Sequence, residues 1–270
     1  MGGGRRADED KKDKPIMADR GLQEAIRAVG GVTELARRIG ISQPSVSNWT
    51  RIPAERVLAV ESVSGIGRAV LRPDLYGESN IDDVDLARAQ EYALLARLLT
   101  RAPDAELLEQ LSELRGDATP LGLAHVELAE AAKNADVSKV EREFFDLFIG
   151  IGRGELLPYA SYYLTGFLHE RPLARLREDL ARIGVARADG VVEPEDHAGI
   201  VCEIMAGLAS GQLPAPANSD RTIFEKHMTS WIGRFFTDLE SVGAAKFYRR
   251  VGKIGRLFTE IETEAFALPS

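Results

Sequence analysis

Apolar residues recur along most of this chain at the spacing of helix faces, and strict apolar/polar alternation is absent, as are Asn-Gly hairpin turns. Long helical patterns run from Leu86 to Leu99, Ala105 to Leu114, Leu121 to Ala132, Val140 to Ile149, Leu173 to Ile183 and Pro194 to Ala209. Two more begin near Thr222 and Ala244. The pattern predicts an all-α protein with no internal repeat. Between Gly21 and about Gly65 the periodic segments are short and broken by glycine and proline, and Tyr76 to Asn80 is a polar, turn-like stretch. These breaks predict a tail over 1–19, a small domain over 20–77, a linker over 78–83 and a larger helical domain over 84–270. The tail is rich in glycine and charge without periodicity and is expected to be disordered.

Within the small domain, Val32, Leu35, Ala36 and Ile39 fall on one face of a two-turn helix. Gly40 follows, where a left-handed turn can end that helix, and Ser42 and Pro44 suit the cap and first turn of a second one running to about Trp49. Val46 and Trp49 should face inward. Gln43, Ser45, Ser47 and Asn48 would then face outward, with side chains able to reach base edges or phosphates, flanked by Arg37, Arg38, Arg51 and Arg56. The run from Gly30 to Trp49, continued by Ile52-Pro53-Ala54-Glu55-Arg56 and Leu71-Arg72-Pro73-Asp74-Leu75-Tyr76, resembles the Cro-like helix-turn-helix of the YdaS antitoxin group. That resemblance implies duplex DNA as a partner, read by Gln43, Ser45, Ser47 and Asn48 with Arg38 and Arg51 on the backbone.

Charge separates the two parts. The chain carries a formal −8, yet residues 20–77 hold eight arginines against five acids, and residues 78–270 hold 21 basic and 32 acidic groups. A front excess of three positive charges is small for a DNA reader, which leaves open either a homodimer or a domain of reduced DNA affinity. The single cysteine, Cys202, excludes an internal disulfide and any cysteine-rich metal framework. No apolar run reaches the roughly 18–20 residues of a membrane span, and the charged start has no apolar segment behind it. The expectation is a cytoplasmic protein without membrane insertion.

Two stretches of the larger domain carry candidate chemistry. In Phe144 to Tyr163 an aromatic helix ends in a loop with glycines at 150, 152 and 154 and restarts after Pro158. Such a loop suits a pocket wall; a dinucleotide site would need a preceding strand, and here a helix precedes. In Glu193-Pro194-Glu195-Asp196-His197 the proline and the acids suit a helix start. Glu193 and His197 are spaced as two metal ligands can be, but a third is missing. No phosphate loop with lysine and no activated nucleophile is present, Cys202 reading as a small core residue, and His125, His169 and His227 are scattered. Neither a catalytic residue, a metal nor a cofactor is expected.

The run Gly152-x-Gly154-Glu155-x-x-Pro158-Tyr159-x-Ser161-x-Tyr163, together with Glu193-Pro194-x-Asp196-His197 followed by Glu203 and Met205, resembles the TorD/DmsD/NarJ family, as do His227-Met228-x-x-Trp231 and Phe247-Tyr248. The resemblance covers nearly all of residues 84–270. Where many members carry an acid after the Pro-Tyr pair, this chain has Ala160. What it implies is a non-enzymatic chaperone that binds the twin-arginine signal peptide and apoprotein of a molybdenum-dependent oxidoreductase, a formate dehydrogenase being one example, until its cofactor is loaded. Gly152, Gly154, Glu155, Pro158, Tyr159, Ser161, Tyr163, Glu193, Asp196 and His197 would line the peptide groove. Joined to a helix-turn-helix, the same domain could instead serve a transcriptional regulator that senses preprotein or cofactor.

Overall fold

In the computed structural model, which describes residues 19–76, 83–187, 190 and 192–268, Asp19 opens the first helix by accepting the N–H of Gly21 at 2.9 Å. Residue 19 is therefore a helix cap, not the end of the tail expected over 1–19. The rest of that tail and residues 78–82 of the expected linker lie outside the described residues. The chain divides into two compact units, Met1–Glu78 and Ser79–Ser270.

The front unit holds α1 (Arg20–Val29), α2 (Val32–Arg38), α3 (Gln43–Ser47), α4 (Val57–Ser64), α5 (Arg68–Leu71) and α6 (Pro73–Tyr76). Leu22, Leu35, Val46, Ile52, Val57, Val60 and Leu71 form its buried core. Gly40 has a φ of 70°, and the turn it permits lets Ile41 donate back to the Ala36 carbonyl at 3.0 Å. Ser42 then caps α3 by accepting the Ser45 N–H. Pro44 sits in the first turn, where its missing N–H costs nothing. The helix-turn-helix geometry follows from these local choices. Trp49 is half-buried and packs against the core.

The second unit comprises α7 (Asp83–Thr100), α8 (Ala105–Ser112), α9 (Pro120–Lys133), α10 (Val137–Phe144), α11 (Ala160–Thr165), α12 (Arg171–Arg182), α13 (Ala198–Ala209), α14 (Ser219–Ile223), α15 (Ile232–Ser241) and α16 (Tyr248–Ala267). Two five-residue π turns, Phe145–Ile149 and Phe224–Met228, extend α10 and α14. The protein is all-α: among the described residues there is no strand, and one isolated antiparallel bridge joins Tyr159 to His197. No helix among them is long and apolar enough to cross a membrane.

Helices α7 and α13 pack closely because Gly199 has no side chain; a Cβ there would stand 2.7 Å from Thr100 Cγ2. Around this pair and the α15/α16 pair lies a core that includes Tyr92, Leu98, Met205, Trp231, Phe235, Phe236 and Tyr248, with Cys202 buried inside it. Polar groups fasten the helices where apolar packing cannot. Glu262, 1% exposed, accepts from the Tyr92 hydroxyl at 2.8 Å and from Arg88 at 2.8 and 2.9 Å, so α7 and α16 share a buried ion pair. Glu143 on α10 accepts the N–H groups of Lys246, Phe247 and Tyr248 at 2.7, 3.1 and 2.8 Å, capping α16 from another helix.

The structure shifts several expected helix starts. Asp83 already belongs to α7 rather than to the linker. The helix expected from Ala244 begins at Tyr248, because the Glu143 cap fixes its first turn. The segment expected from Thr222 is split by the π turn and Thr229–Trp231 before α15. The helix expected from Pro194 begins at Ala198, because the backbone before it is committed to pairing with Pro158 and Ala160.

Candidate functional site

That pairing builds the junction of the two sequence motifs. Ala160 N–H donates to the Asp196 carbonyl at 2.9 Å and Ala198 N–H to the Pro158 carbonyl at 2.7 Å. Asp196 secures it: Oδ2 accepts the Ser161 N–H at 2.9 Å and the Ser161 hydroxyl at 2.6 Å. Both residues are buried, Asp196 at 1% exposure and Ser161 at 0%. A carboxylate so enclosed is a staple between the start of α11 and the approach to α13. Its neighbour Glu195 pairs with Arg177 of α12 at 2.8 Å.

His197 caps α13 through its ring, Nδ1 accepting the Gly199 N–H at 3.0 Å. An accepting Nδ1 carries no proton, and burial lowers the His197 pKa, which favours the same neutral ring. Tyr159 lies edge-on to it, with ring centroids 5.1 Å apart, and donates its hydroxyl to Glu193 Oε1 at 2.5 Å. Burial, and then the adjacent Glu193, raise the Tyr159 pKa, so the phenol keeps its proton and the hydrogen bond. Glu193 and His197 thus both have partners, and neither is arranged as one of a ligand pair.

The glycine loop closes over the π turn. Gly150 has a φ of 62° and Gly152 one of 92°. Gly154 is buried against the carbonyl of Leu147, which a Cβ would approach to 2.4 Å, and Leu156 N–H returns to the same carbonyl at 2.8 Å. Gly152 and Glu155 are exposed, whereas Pro158 is buried. Ile149 and Ile151 stand out at 53% and 96% exposure on one side of the junction in sequence, and Leu164 and Phe167 at 43% and 70% on the other. Tyr163 points elsewhere: its ring packs near Trp231 and Phe235, and its hydroxyl donates to Asp238 at 2.9 Å. Cys202 is fully buried, which pushes its thiol up to about 12 and keeps it protonated at neutral pH.

In the front unit, Gln43, Ser45, Ser47 and Asn48 are all exposed on α3. Two local hydrogen bonds order them, Gln43 Nε2 to Ser47 Oγ and Ser42 Oγ with Ser45 Oγ, each 2.7 Å long. Much of the cationic flank is already paired. Glu34 holds Arg37 at 2.6 Å and Arg38 at 2.7 Å, and these two guanidinium groups lower its pKa to about 2. Arg51 reaches Asp74 at 3.2 Å.

Sequence reasoning missed Arg177, Asp238 and Glu143, whose partners are far away in the chain and leave no local signal. Asp179 is another: it binds His227 at 2.9 Å and joins α12 to the second π turn.

Family models match part of each unit. Residues 114–237 match the family described as nitrate reductase delta subunit, and residues 22–80 match the family described as bacterial toxin YdaS. The latter description is of a toxin, where the sequence resemblance named an antitoxin group. The chaperone protein TorD of Vibrio cholerae serotype O1 (El Tor Inaba) is 28% identical over 146 residues, covering 50% of this chain and 66% of the relative. Two further Vibrio cholerae chaperones are covered over 58%, so the chain spans somewhat under two thirds of these relatives' length. The TorD chaperone of Shewanella loihica is 23% identical over 202 residues, with 66% of this chain and 92% of that one aligned. A crystal structure of a proposed redox enzyme maturation protein from Archaeoglobus fulgidus aligns at 20% identity and a TM-score of 0.44, covering 65% of this chain and 93% of its own.

Proposed function

We propose that this chain, whose helical body is similar to the TorD chaperones, binds the twin-arginine signal peptide of a molybdenum-dependent oxidoreductase and holds the apoprotein in the cytoplasm until its cofactor is loaded. It does so as a chaperone and not as an enzyme. The observation that carries this reading is the junction, where both motifs of the family meet through Ser161 and Asp196. Asp196, Ser161 and His197 are buried and position the junction. The accessible carboxylates beside it in sequence are Glu155, exposed, and Glu193, half-buried. A guanidinium pairs with a carboxylate through two parallel hydrogen bonds, so these two receive the arginines. The exposed Ile149, Ile151, Leu164 and Phe167 offer apolar surface for the peptide's hydrophobic stretch.

Titration calorimetry of the full chain with a client signal peptide and its twin-lysine version tests this. Glu193→Gln and Glu155→Gln should each weaken the arginine peptide by about tenfold, or 1.4 kcal/mol, and the lysine version less. Equal affinity for both peptides, unaffected by either variant, sinks the assignment.

The front unit supports a DNA contact, since α3 presents four exposed polar side chains and residues 22–80 match the YdaS family. On that observation rests a second reading, a transcriptional regulator whose body senses preprotein. Thermodynamic coupling is reciprocal, so under this reading a client peptide and an operator duplex change each other's affinity by the same factor. Independent binding would leave the two units as tethered modules.

A further inference from the structure

Apart from the junction, the body contains a cavity of about 910 Å³ walled by α7, α12 and α13 and by the segments that follow α12 and α13. Its floor is aliphatic. Ala96, Leu180 and Ile204 are buried there, and Val185, Ile200 and Leu213 are half-buried. Among the described residues no aromatic side chain lines it, so it has nothing on which a flat ring would stack.

Apart from the buried Glu195 the charged groups are at the rim, and they are unbalanced: four guanidinium groups face two carboxylates. Arg177 is paired with Glu195 at 2.8 Å, whereas among the described residues Arg97 has Gln110 as its side-chain partner, at 3.4 Å. Arg101 and Arg187 are exposed and make no ion pair among the described residues. The opposing Glu203 is exposed on α13.

We propose that this cavity binds a short aliphatic peptide segment flanked by carboxylates, as a second contact to the client. An aliphatic floor rewards leucine, isoleucine and valine in proportion to the area they bury, and offers little to a polar or aromatic group. The rim guanidinium groups of Arg101 and Arg187, which make no ion pair among the described residues, select carboxylates and repel lysine or arginine flanks. The segment is therefore not the twin-arginine region of the signal peptide but another part of the same client. The inference rests on the chaperone reading for the identity of that client. Two linked contacts also raise affinity above either alone, because the second forms at the high local concentration set by the first.

The test uses the full chain and two fluorescent peptides with the same leucine- and valine-rich centre, one flanked by glutamates and one by lysines. Anisotropy should show the glutamate peptide binding and the lysine peptide binding more weakly. Arg101→Glu should weaken the glutamate peptide by about tenfold and reverse the preference. Ala181→Trp, placed on an exposed rim position, should block both peptides. Neither variant should change the melting temperature or the affinity for a twin-arginine signal peptide. Equal binding of the two peptides, or insensitivity to both variants, overturns the proposal. So does saturable binding of decanoate with neither peptide bound, which would give the cavity to an acyl chain. If the glutamate peptide behaves as expected while the twin-arginine peptide fails to bind, the signal-peptide reading falls and the cavity assignment stands.

Discussion

Ser161 donates its backbone N–H and its hydroxyl to one oxygen, Oδ2 of Asp196, across a sequence separation of 35 residues. The pair is buried, so removing the acceptor strands two donors without water. Asp196→Ala is expected to cost about 2–5 kcal/mol of stability, and Ser161→Ala about 1.5–3 kcal/mol, the range for hydrogen bonds to a charged partner. Denaturant titration of the two single variants and the double variant gives the coupling. Asp196→Asn, which keeps the shape and an acceptor oxygen, should bind signal peptide nearly as the parent does. A selective loss of peptide affinity in that variant, at unchanged stability, would instead make Asp196 a direct ligand of the arginines.

Glu34 neutralises two of the arginines that flank α3. The phosphates of a bound duplex would have to compete with it for them, and the lowered Glu34 pKa of about 2 keeps the carboxylate charged at physiological pH. Glu34→Gln should therefore raise affinity for all duplexes alike and steepen the salt dependence, because more guanidinium groups become free to displace counterions. Ser45→Ala with Asn48→Ala should act differently, reducing discrimination between duplexes with little effect on the salt slope. Electrophoretic mobility or anisotropy over a salt series separates the two. No duplex binding at low salt by either the parent or Glu34→Gln would remove DNA from the partners of this chain.

How far the fold can be read from the sequence depends on the range of the interaction. The turn at Gly40, the Ser42 cap and the proline of α3 are each decided within a few residues, and the front unit forms as its local pattern dictates. Likewise the apolar spacing of α8 and α9 places them within two residues of expectation. The start of α13 was illegible because its backbone is taken by Pro158 and Ala160, some forty residues earlier, which no local propensity records. The same holds for α16, whose cap is Glu143. Ser161 and Asp196 could be named from the motifs. That they hydrogen-bond each other across the junction needed the three-dimensional arrangement.

Arg88 and Glu262 tie α7 to α16 in a setting where Glu262 is 1% exposed and the Arg88 side chain 14%. Burying an ion pair contributes little by itself, but breaking one leaves an uncompensated charge in the core. Arg88→Ala is expected to destabilise by about 3–5 kcal/mol. Arg88→Met combined with Glu262→Leu and Asp220→Asn should cost less than Arg88→Ala alone, since both carboxylates that Arg88 holds at 2.8 and 3.0 Å are then neutralised together with it. Thermal melts of these variants decide the matter, and a combined variant worse than the single one would show that the ion pairs themselves contribute the stability.

His125 of α9 meets Glu91 of α7 with Nε2 at 3.0 and 3.1 Å from the two carboxylate oxygens, and both side chains are mostly buried. That hydrogen bond raises the His125 pKa above its ordinary value, against the opposing effect of burial and with help from the Glu91 and Asp117 charges. A histidine whose pKa is raised on folding adds stability that is fully present below the unfolded value of about 6.5 and is lost as pH climbs through the folded value. His197 has the opposite sign: its pKa is lowered by burial, so the unfolded chain takes up the proton first and stability declines as pH falls below about 6.5. In the parent protein the two trends oppose one another over neighbouring pH ranges, and a simple pH–stability curve would obscure both. Comparing the parent with His125→Gln cancels the His197 contribution, which is common to the two. The stability difference should be largest and flat on the acid side and should shrink as pH rises above about 6.5. A difference that stays constant from acid to alkaline pH would mean that the His125–Glu91 contact is a neutral hydrogen bond with no proton linked to folding.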